Sequence, residues 1–419
     1  MASSEIGFKT LIKVNDAIEM IKRKLKYRLV EYEEVRILEA LNRICYENVT
    51  SPMDIPPFDR AAMDGYAVKA EDTINASIKN PILLEVTNCI EPGNIKDLEV
   101  KSGCAIEIST GSPIPKNADA VIPYEDTKRI GKYIEVYSPV HPGKNISFKG
   151  EDIKKGDIIL EKGTIIRPWD IAVLASTNIS KVKVLRKPKI GILSIGSEII
   201  EPGSQWEEGK IFNSTGVMLK AFVMEDLGEP IDLGIVEDEE DKICERIMNS
   251  IDKCDIIITT GGTAIGKTDK TINAIKRIGG EVIFHGVSMR PGKPTAMAIL
   301  NGKPIVMLSG FPVAALTGYQ NFVRKIIEQI CEIKFLPQPK IKAKIARRIA
   351  SQLGSREHLR VKVVKRGDEY IAIPLRLTGS GLLSSITQAT GIIVIPEELE
   401  GLEEGEEVEV TLIRGVNEN

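Results

Sequence analysis

From Pro188 onward the chain alternates short unbroken apolar runs with amphipathic stretches, and this alternation constrains the fold more than any other feature of its 419 residues. Residues 190–196, 230–236 and 255–260 read as buried strands. Between and after them, 213–227 (with Asn213 or Ser214 as cap), 239–253 and 270–278 read as helices. Strands at 283–287, 296–300 and 305–308 and a closing helix at 313–330 complete the pattern. Apolar strands with helices between them imply a parallel sheet covered on both faces.

The rest of the chain differs on either side. Near the N-terminus, apolar residues at Val14, Ala17, Ile18, Ile21 and Leu25 form a helical stripe, and a second helix is expected over 31–41. Residues 51–150 carry many Pro and Gly between short β-like runs, which argues for a small β-rich domain. After about Pro337, five candidate strands with no strong helix suggest a small β-barrel or sandwich. At roughly 150 residues per domain, a chain of this length holds two to four domains.

Composition narrows the function classes. With 42% hydrophobic and 27% charged residues, the usage is that of an ordinary globular protein. A net charge of −3 gives no general attraction for nucleic acid or anionic membranes. No apolar run is long enough to span a bilayer, and MASSEIGFKT has no apolar signal core. Six scattered cysteines without a CxxC pair suit a reduced, cytoplasmic protein. The histidines, His141, His285 and His358, are far apart in sequence, which argues against a His-based zinc site or a Ser-His-Asp triad.

Chemistry concentrates at the strand ends. In DIIITTGGTAIGKTDKT (255–271) a buried strand runs into Thr260, Gly261 and Gly262, then Gly266 and a helix start. In open α/β sheets ligands bind beyond the carboxyl ends of the strands, where glycines let backbone N–H groups approach phosphate. Asp269 at the mouth suits a metal ion or a ribose hydroxyl, or simply caps the helix. Glu198 ends another strand and could share a metal with Asp269, while Asp238 stands at a third strand end. Arg290 and Lys293 flank the Pro-Gly turn of MRPGKPTAM, which suits an oxyanion or phosphate. LSGFPVAAL, with Ser309 and Gly310, is a second candidate anion pocket. Upstream, FDRAAMDGYAV (58–68), STGSPIPKNADAVIPYED (109–126) and FKGEDIKKGD (148–157) are three acid-bearing loops within one region.

Taken together and in this order, FDRAAMDGYAV, TGSPIPKNADAVIPYED, GEDIKKGD, TTGGTAIGKTD, RPGKP and GFPVAA resemble the MoeA-like family of molybdopterin molybdenumtransferases, which includes the C-terminal part of gephyrin. The resemblance covers nearly the whole chain. It implies a multidomain α/β protein in which a parallel-sheet molybdopterin-binding domain (188–335) follows an elongated domain made of two segments (1–45 and 146–187). A β-rich inserted domain (46–145) and a C-terminal β-barrel (336–419) complete it.

It further implies the last step of molybdenum cofactor synthesis. A homodimer binds adenylylated molybdopterin with Mg²⁺, inserts molybdate or tungstate and releases AMP, and an upstream adenylyltransferase could supply the substrate. By position, Asp64 and Asp152 would be acids of the β-rich side, and Glu198, Asp238 and Asp269 those of the α/β side. Asp64, Asp152, Asp238 and Asp269 would be catalytic; Glu198, Asp238 and Asp269 would hold Mg²⁺. Thr260, Gly261, Gly262, Gly266, Ser309 and Gly310 would bind pterin or phosphate. Arg290 and Lys293 would grip the oxyanion, with Arg360 and Ser384 or Ser385 reaching in from the barrel.

The chain departs from the family pattern at Ser197, Thr260, Ala264, Ser309, Phe311 and Ala314, and a family lysine aligns with Gly286. Two alternatives follow: a pterin-binding carrier without turnover, or a molybdopterin adenylyltransferase. The surrounding domains argue against the second.

Overall fold

The computed structural model describes residues 11–93, 97–262, 269–375 and 381–416. By compactness the chain forms two units, Glu34–Val184 and Met1–Glu33 together with Leu185–Asn419.

The first of these is built on a six-stranded sheet. Its strand order is Ala120–Pro123, Gly65–Val68, Cys104–Ile108, Ile82–Ile90, Tyr133–Val136, Thr127–Ile130. Only the pair Ile82–Ile90 and Cys104–Ile108 is parallel. Val68, Leu84, Ile122 and Ile134 close its core, as the alternating apolar runs require. The helix expected over 31–41 is not formed: Tyr32–Arg36 is a strand, and a turn follows it. Ile37 N–H donates to the Ser180 carbonyl (3.1 Å), a partner more than a hundred residues away that no local periodicity can reveal.

The larger unit holds the α/β sheet. Its strands lie in the order Glu229–Val236, Lys189–Ile195, Ile256–Gly261, Lys303–Leu308, Ala296–Leu300, Glu281–His285. The first four are mutually parallel; Ala296–Leu300 alone runs the opposite way, antiparallel to both Lys303–Leu308 and Glu281–His285. The sheet is therefore mixed rather than wholly parallel. The cause is local: Asn301 and Gly302, both at positive φ (50° and 78°), form a two-residue hairpin turn that sends the chain straight back. Helices Ser214–Glu225, Glu240–Met248 and Lys270–Arg277 connect the parallel strands. Leu193, Ile195, Ile257, Ile275 and Met307 pack in the core between sheet and helices.

The C-terminal part of the same unit is a closed five-strand barrel. Arg356–Arg366 pairs with Glu369–Pro374 on one side and with Gly391–Ile395 on the other. Lys340–Ile345 and Glu407–Leu412 complete the ring. Val361, Ala372, Ile395 and Val410 fill it. One short helix, Leu383–Gln388, leans on it. Met289–Arg290 adds a further strand, parallel to Arg356–Glu357, which ties the Arg-Pro-Gly-Lys turn to the barrel wall.

Candidate functional site

The carboxyl ends of the parallel strands carry an acidic crevice. The strand Ile256–Gly261 ends in two consecutive positive-φ glycines, Gly261 at 87° and Gly262 at 63°. A Cβ on Gly261 would lie 2.1 Å from the Ile195 carbonyl oxygen, so no side chain fits there. A Cβ on Gly262 would lie 2.5 Å from Thr271 Oγ1 and 3.3 Å from Asp238 Oδ1, so these two oxygens converge beside the bare glycine. Asp269 caps the helix that follows: its Oδ1 accepts the Ile272 N–H (3.0 Å). Its other oxygen, Oδ2, is buried and takes no hydrogen bond among the described residues; the same holds for Asp238 Oδ1 and Thr271 Oγ1. Among the described residues three buried oxygens thus lie open in one crevice, where a bound group would satisfy them. Asp238 Oδ2 faces Lys270 Nζ at 3.6 Å, and His285 Nε2 stands 3.2 Å from Asp269 Oδ2.

Oxygen donors of this kind suit a hard divalent cation, and Mg²⁺ is usually held by one or two carboxylates with phosphate oxygens supplying the rest. The crevice fits that pattern rather than an all-protein cage. Among the described residues no three His, Cys, Asp or Glu side chains gather at metal-binding range. Glu198, expected in the same metal set, is exposed and folds back over Gly196, where a Cβ would lie 2.7 Å from Glu198 Oε2.

A cationic cavity adjoins the crevice. Thr260 Oγ1 donates to the Ser309 carbonyl (3.0 Å), Thr215 Oγ1 to the Gly310 carbonyl (2.7 Å), and a Cβ on Gly310 would touch Gly261 Cα at 3.4 Å. Beyond Ser309 opens a cavity of about 490 Å³ whose lining includes Arg290, Lys293, Ser309, Ala314, Ser355 and Arg360. Arg290 and Lys293 are exposed, whereas Arg360 is buried and its Nε donates to Ser385 Oγ (3.0 Å). Burial pulls the Arg360 guanidinium below its ordinary value, with Glu357 opposing. It stays a cation, since a guanidinium holds its proton in any protein site. His358, in the same wall, accepts from Asn321 Nδ2 (3.2 Å). Burial, reinforced by Arg356, pushes its imidazole down to about 4, so it is a neutral wall residue at pH 7.

The structure thus brings together Thr260, Gly261, Gly262, Asp238 and Asp269 at one subsite and Arg290, Lys293, Ser309 and Arg360 at the next. Ser385, not the exposed Ser384, touches Arg360. Gly266 lies outside the described residues. Asp64 and Asp152 belong to the other unit. Asp64 Oδ1 accepts the Thr110 N–H (2.6 Å) and hydroxyl (2.8 Å), which holds its carboxyl below the usual range. Asp152 is exposed, and its backbone N–H donates to the Ile55 carbonyl (3.1 Å). Sequence reasoning missed Thr271, His285 and His358. A histidine at a strand end was visible for His285, but its approach to Asp269 depends on where the strand Glu281–His285 docks on the sheet, which local periodicity does not show.

Strand-end glycines, an acidic crevice and an adjoining cation-lined cavity on an α/β sheet define a molybdopterin-binding class of domain. The family model described as "Probable molybdopterin binding domain" matches residues 191–329. The models for the MoeA N-terminal region (domain I and II) and the MoeA C-terminal region (domain IV) match residues 12–178 and 342–413. A relative from Methanocaldococcus jannaschii is 40% identical over 97% of this chain and 99% of its own. The molybdopterin molybdenumtransferase of Staphylococcus aureus is 33% identical over 90% of each chain. The crystal structure of the molybdopterin biosynthesis MoeA protein from Pyrococcus horikoshii superposes with a TM-score of 0.83 at 38% identity, covering 96% of this chain and all of that one. The chain belongs to the MoeA family.

Proposed function

We propose that this chain is a molybdenumtransferase that inserts molybdate, or tungstate, into adenylylated molybdopterin and releases AMP. One observation carries the reading: the acidic crevice at Gly262 and the cationic cavity at Ser309 adjoin through the contact between Gly261 and Gly310. A phosphate-bearing pterin can therefore lie with its phosphates at the crevice and its reacting end near the cations.

The residues divide the work. Gly261 and Gly262 let backbone approach the phosphates without a side chain between them. Asp238 and Asp269 would hold Mg²⁺, which screens phosphate charge when bound. Arg290, Lys293 and Arg360 would grip the oxyanion, Arg360 kept in place by Ser385. Asp64 and Asp152 are assigned to the same reaction by motif alone. A cytoplasmic homodimer of four-domain chains, with the boundaries expected from the sequence and fed by an adenylyltransferase, completes the proposal. The cysteines form no disulfide among the described residues, which agrees with a reducing compartment.

The test is AMP release from adenylylated molybdopterin with Mg²⁺, adding molybdate and tungstate in turn. Release stimulated by either oxyanion supports the transferase and ranks the two metals. Tight pterin binding without release would support the carrier instead, a reading favoured by Ala314, an apolar methyl in the wall of the anion cavity.

A further inference from the structure

We propose that the cavity bordered by the helix Ser214–Glu225, the turn Tyr319–Val323 and the end of the barrel is a second ligand site. It takes a small organic anion, a carboxylate or phosphate on a compact apolar body, and is coupled through that turn to the oxyanion cavity. The site goes beyond the proposed transferase activity and does not depend on it.

This second cavity has a volume of about 280 Å³ and shares no lining residue with the one at Arg290. Part of its lining is apolar. Phe222, Ile386 and Ile413 border it, and the Phe222 ring packs against the fully buried ring of Tyr319, with centroids 5.4 Å apart. Gln320, Arg324, Gln338 and Arg414 supply the polar part.

Unspent donors define the ligand. Arg324 gives its Nε to Asp226 Oδ1 (3.1 Å) and lays its guanidinium over the Phe335 ring. Arg414 gives one Nη to the Thr387 carbonyl (2.6 Å). Among the described residues, the other guanidinium nitrogens of both and the side-chain amides of Gln320 and Gln338 make no hydrogen bond. Two guanidinium groups bordering one cavity suit the paired oxygens of a carboxylate or phosphate. The acids nearby do not cancel that attraction. Asp226 is buried and already paired with Arg324; burial pushes its carboxyl up, with Arg324 and Tyr319 opposing. Glu225 is exposed at the helix end, where solvent ions screen it. The apolar lining calls for an organic body rather than a bare inorganic ion.

Coupling follows from an irregularity in the closing helix. It is α-helical over Pro312–Gly318 and Arg324–Cys331, but Tyr319–Val323 between them is a wider π-helical turn. Such turns are rare and are found frequently at functional sites. Here neighbouring residues serve the two cavities. Tyr319 and Gln320 line the second one, while Asn321 Nδ2 donates to His358 Nε2 (3.2 Å), in the wall of the first, and to the Thr317 carbonyl (2.8 Å). A ligand held by Gln320 therefore acts on the turn that holds His358, which shares a barrel strand with Arg360.

The test uses the full-length protein with phenyl phosphate and benzoate as probes, and with benzyl alcohol and inorganic phosphate as controls. Calorimetric titration should show binding of at least one probe, the tighter of the two naming the oxyanion, and much weaker binding of both controls. Arg414→Ala should weaken the probe about tenfold, the scale of one charge-assisted contact. Arg290→Ala should leave its affinity unchanged. With three histidines in the chain, the imidazole NMR signals are few enough to follow singly. The His358 signal should shift as the probe binds, and Asn321→Leu should abolish that shift while binding is retained. No probe binding, equal affinity in wild type and Arg414→Ala, or loss of binding in Arg290→Ala overturns the site. A bound probe that leaves His358 unmoved overturns the coupling. If Arg414→Ala does not fold, Ile386→Trp, which fills the cavity, still decides it. A protein that passes these tests yet releases no AMP would sink the transferase reading and leave the second site standing.

Discussion

Two buried aspartates at opposite ends of one strand show how differently the same side chain can be used. Asp255 immediately precedes the strand Ile256–Gly261, and Asp269 lies beyond its far end; they are 2% and 3% exposed. Asp255 is saturated. Arg186 grips both its oxygens (2.7 and 2.9 Å), the Tyr27 hydroxyl donates at 2.5 Å and the Lys189 N–H at 2.7 Å. Asp269 is half finished: one oxygen caps a helix, and the other, 3.2 Å from His285 Nε2, takes no hydrogen bond among the described residues. A carboxylate that serves the fold has its hydrogen bonds met from within the chain. One that serves a ligand has a place left vacant, held rigid by the half that is satisfied.

The sharpest way to break this contrast is to exchange one oxygen for nitrogen at each end. Asp269→Asn should keep the helix cap, since asparagine caps as well as aspartate, and leave the melting temperature nearly unchanged. AMP release should nevertheless fall about 10²–10³-fold, the scale of losing one well-placed electrostatic group. Turnover near the wild-type rate would remove Asp269 from the reaction. Asp255→Asn should do the opposite. Breaking a buried ion pair costs about 3–5 kcal/mol, read as a lowered denaturant midpoint, while activity per folded molecule holds.

Acid should separate the two ends as well. Burial alone would raise the Asp255 carboxyl, but Arg186, Tyr27 and the Lys189 N–H outweigh it and hold it below its ordinary value. A depressed carboxylate contributes stability above its unfolded pKa, near 3.9, and that contribution is lost as pH falls through the folded value. Unfolding free energy should therefore drop below about pH 4 in wild type and drop less in Asp255→Asn. Identical acid slopes would show that another group controls acid stability.

The smallest effect is expected at the cavity rim. Arg290→Ala removes an exposed cation from a site that keeps Lys293 and Arg360, so the oxyanion concentration for half-maximal AMP release should rise about tenfold, or about 1.4 kcal/mol. An unchanged oxyanion dependence would take Arg290 out of the grip.

The contrast between the two ends also explains what the sequence made legible. Periodicity located the parallel strands and the helix capped by Asn213, whose side chain accepts the Gly216 N–H as a cap should. The motifs brought Asp238, Asp269, Arg290, Lys293 and Arg360 forward as site residues. What escaped were features made by distant partners. The strand Tyr32–Arg36 looked helical because its apolar spacing fits both periods over so short a stretch. The reversed strand Ala296–Leu300 followed from Asn301-Gly302, a hairpin signal present between two apolar runs.

The added strand Met289–Arg290 has a consequence for how the anion grip is held together. Arg290 is registered against Glu357, and Arg360 stands three residues further along the same barrel strand. That strand closes its ring only by pairing with Gly391–Ile395, close to the end of the chain. Arg290 and Arg360 are therefore both set by one barrel strand, so the anion grip depends on the folded barrel, whereas the glycines of the acidic crevice belong to the α/β sheet.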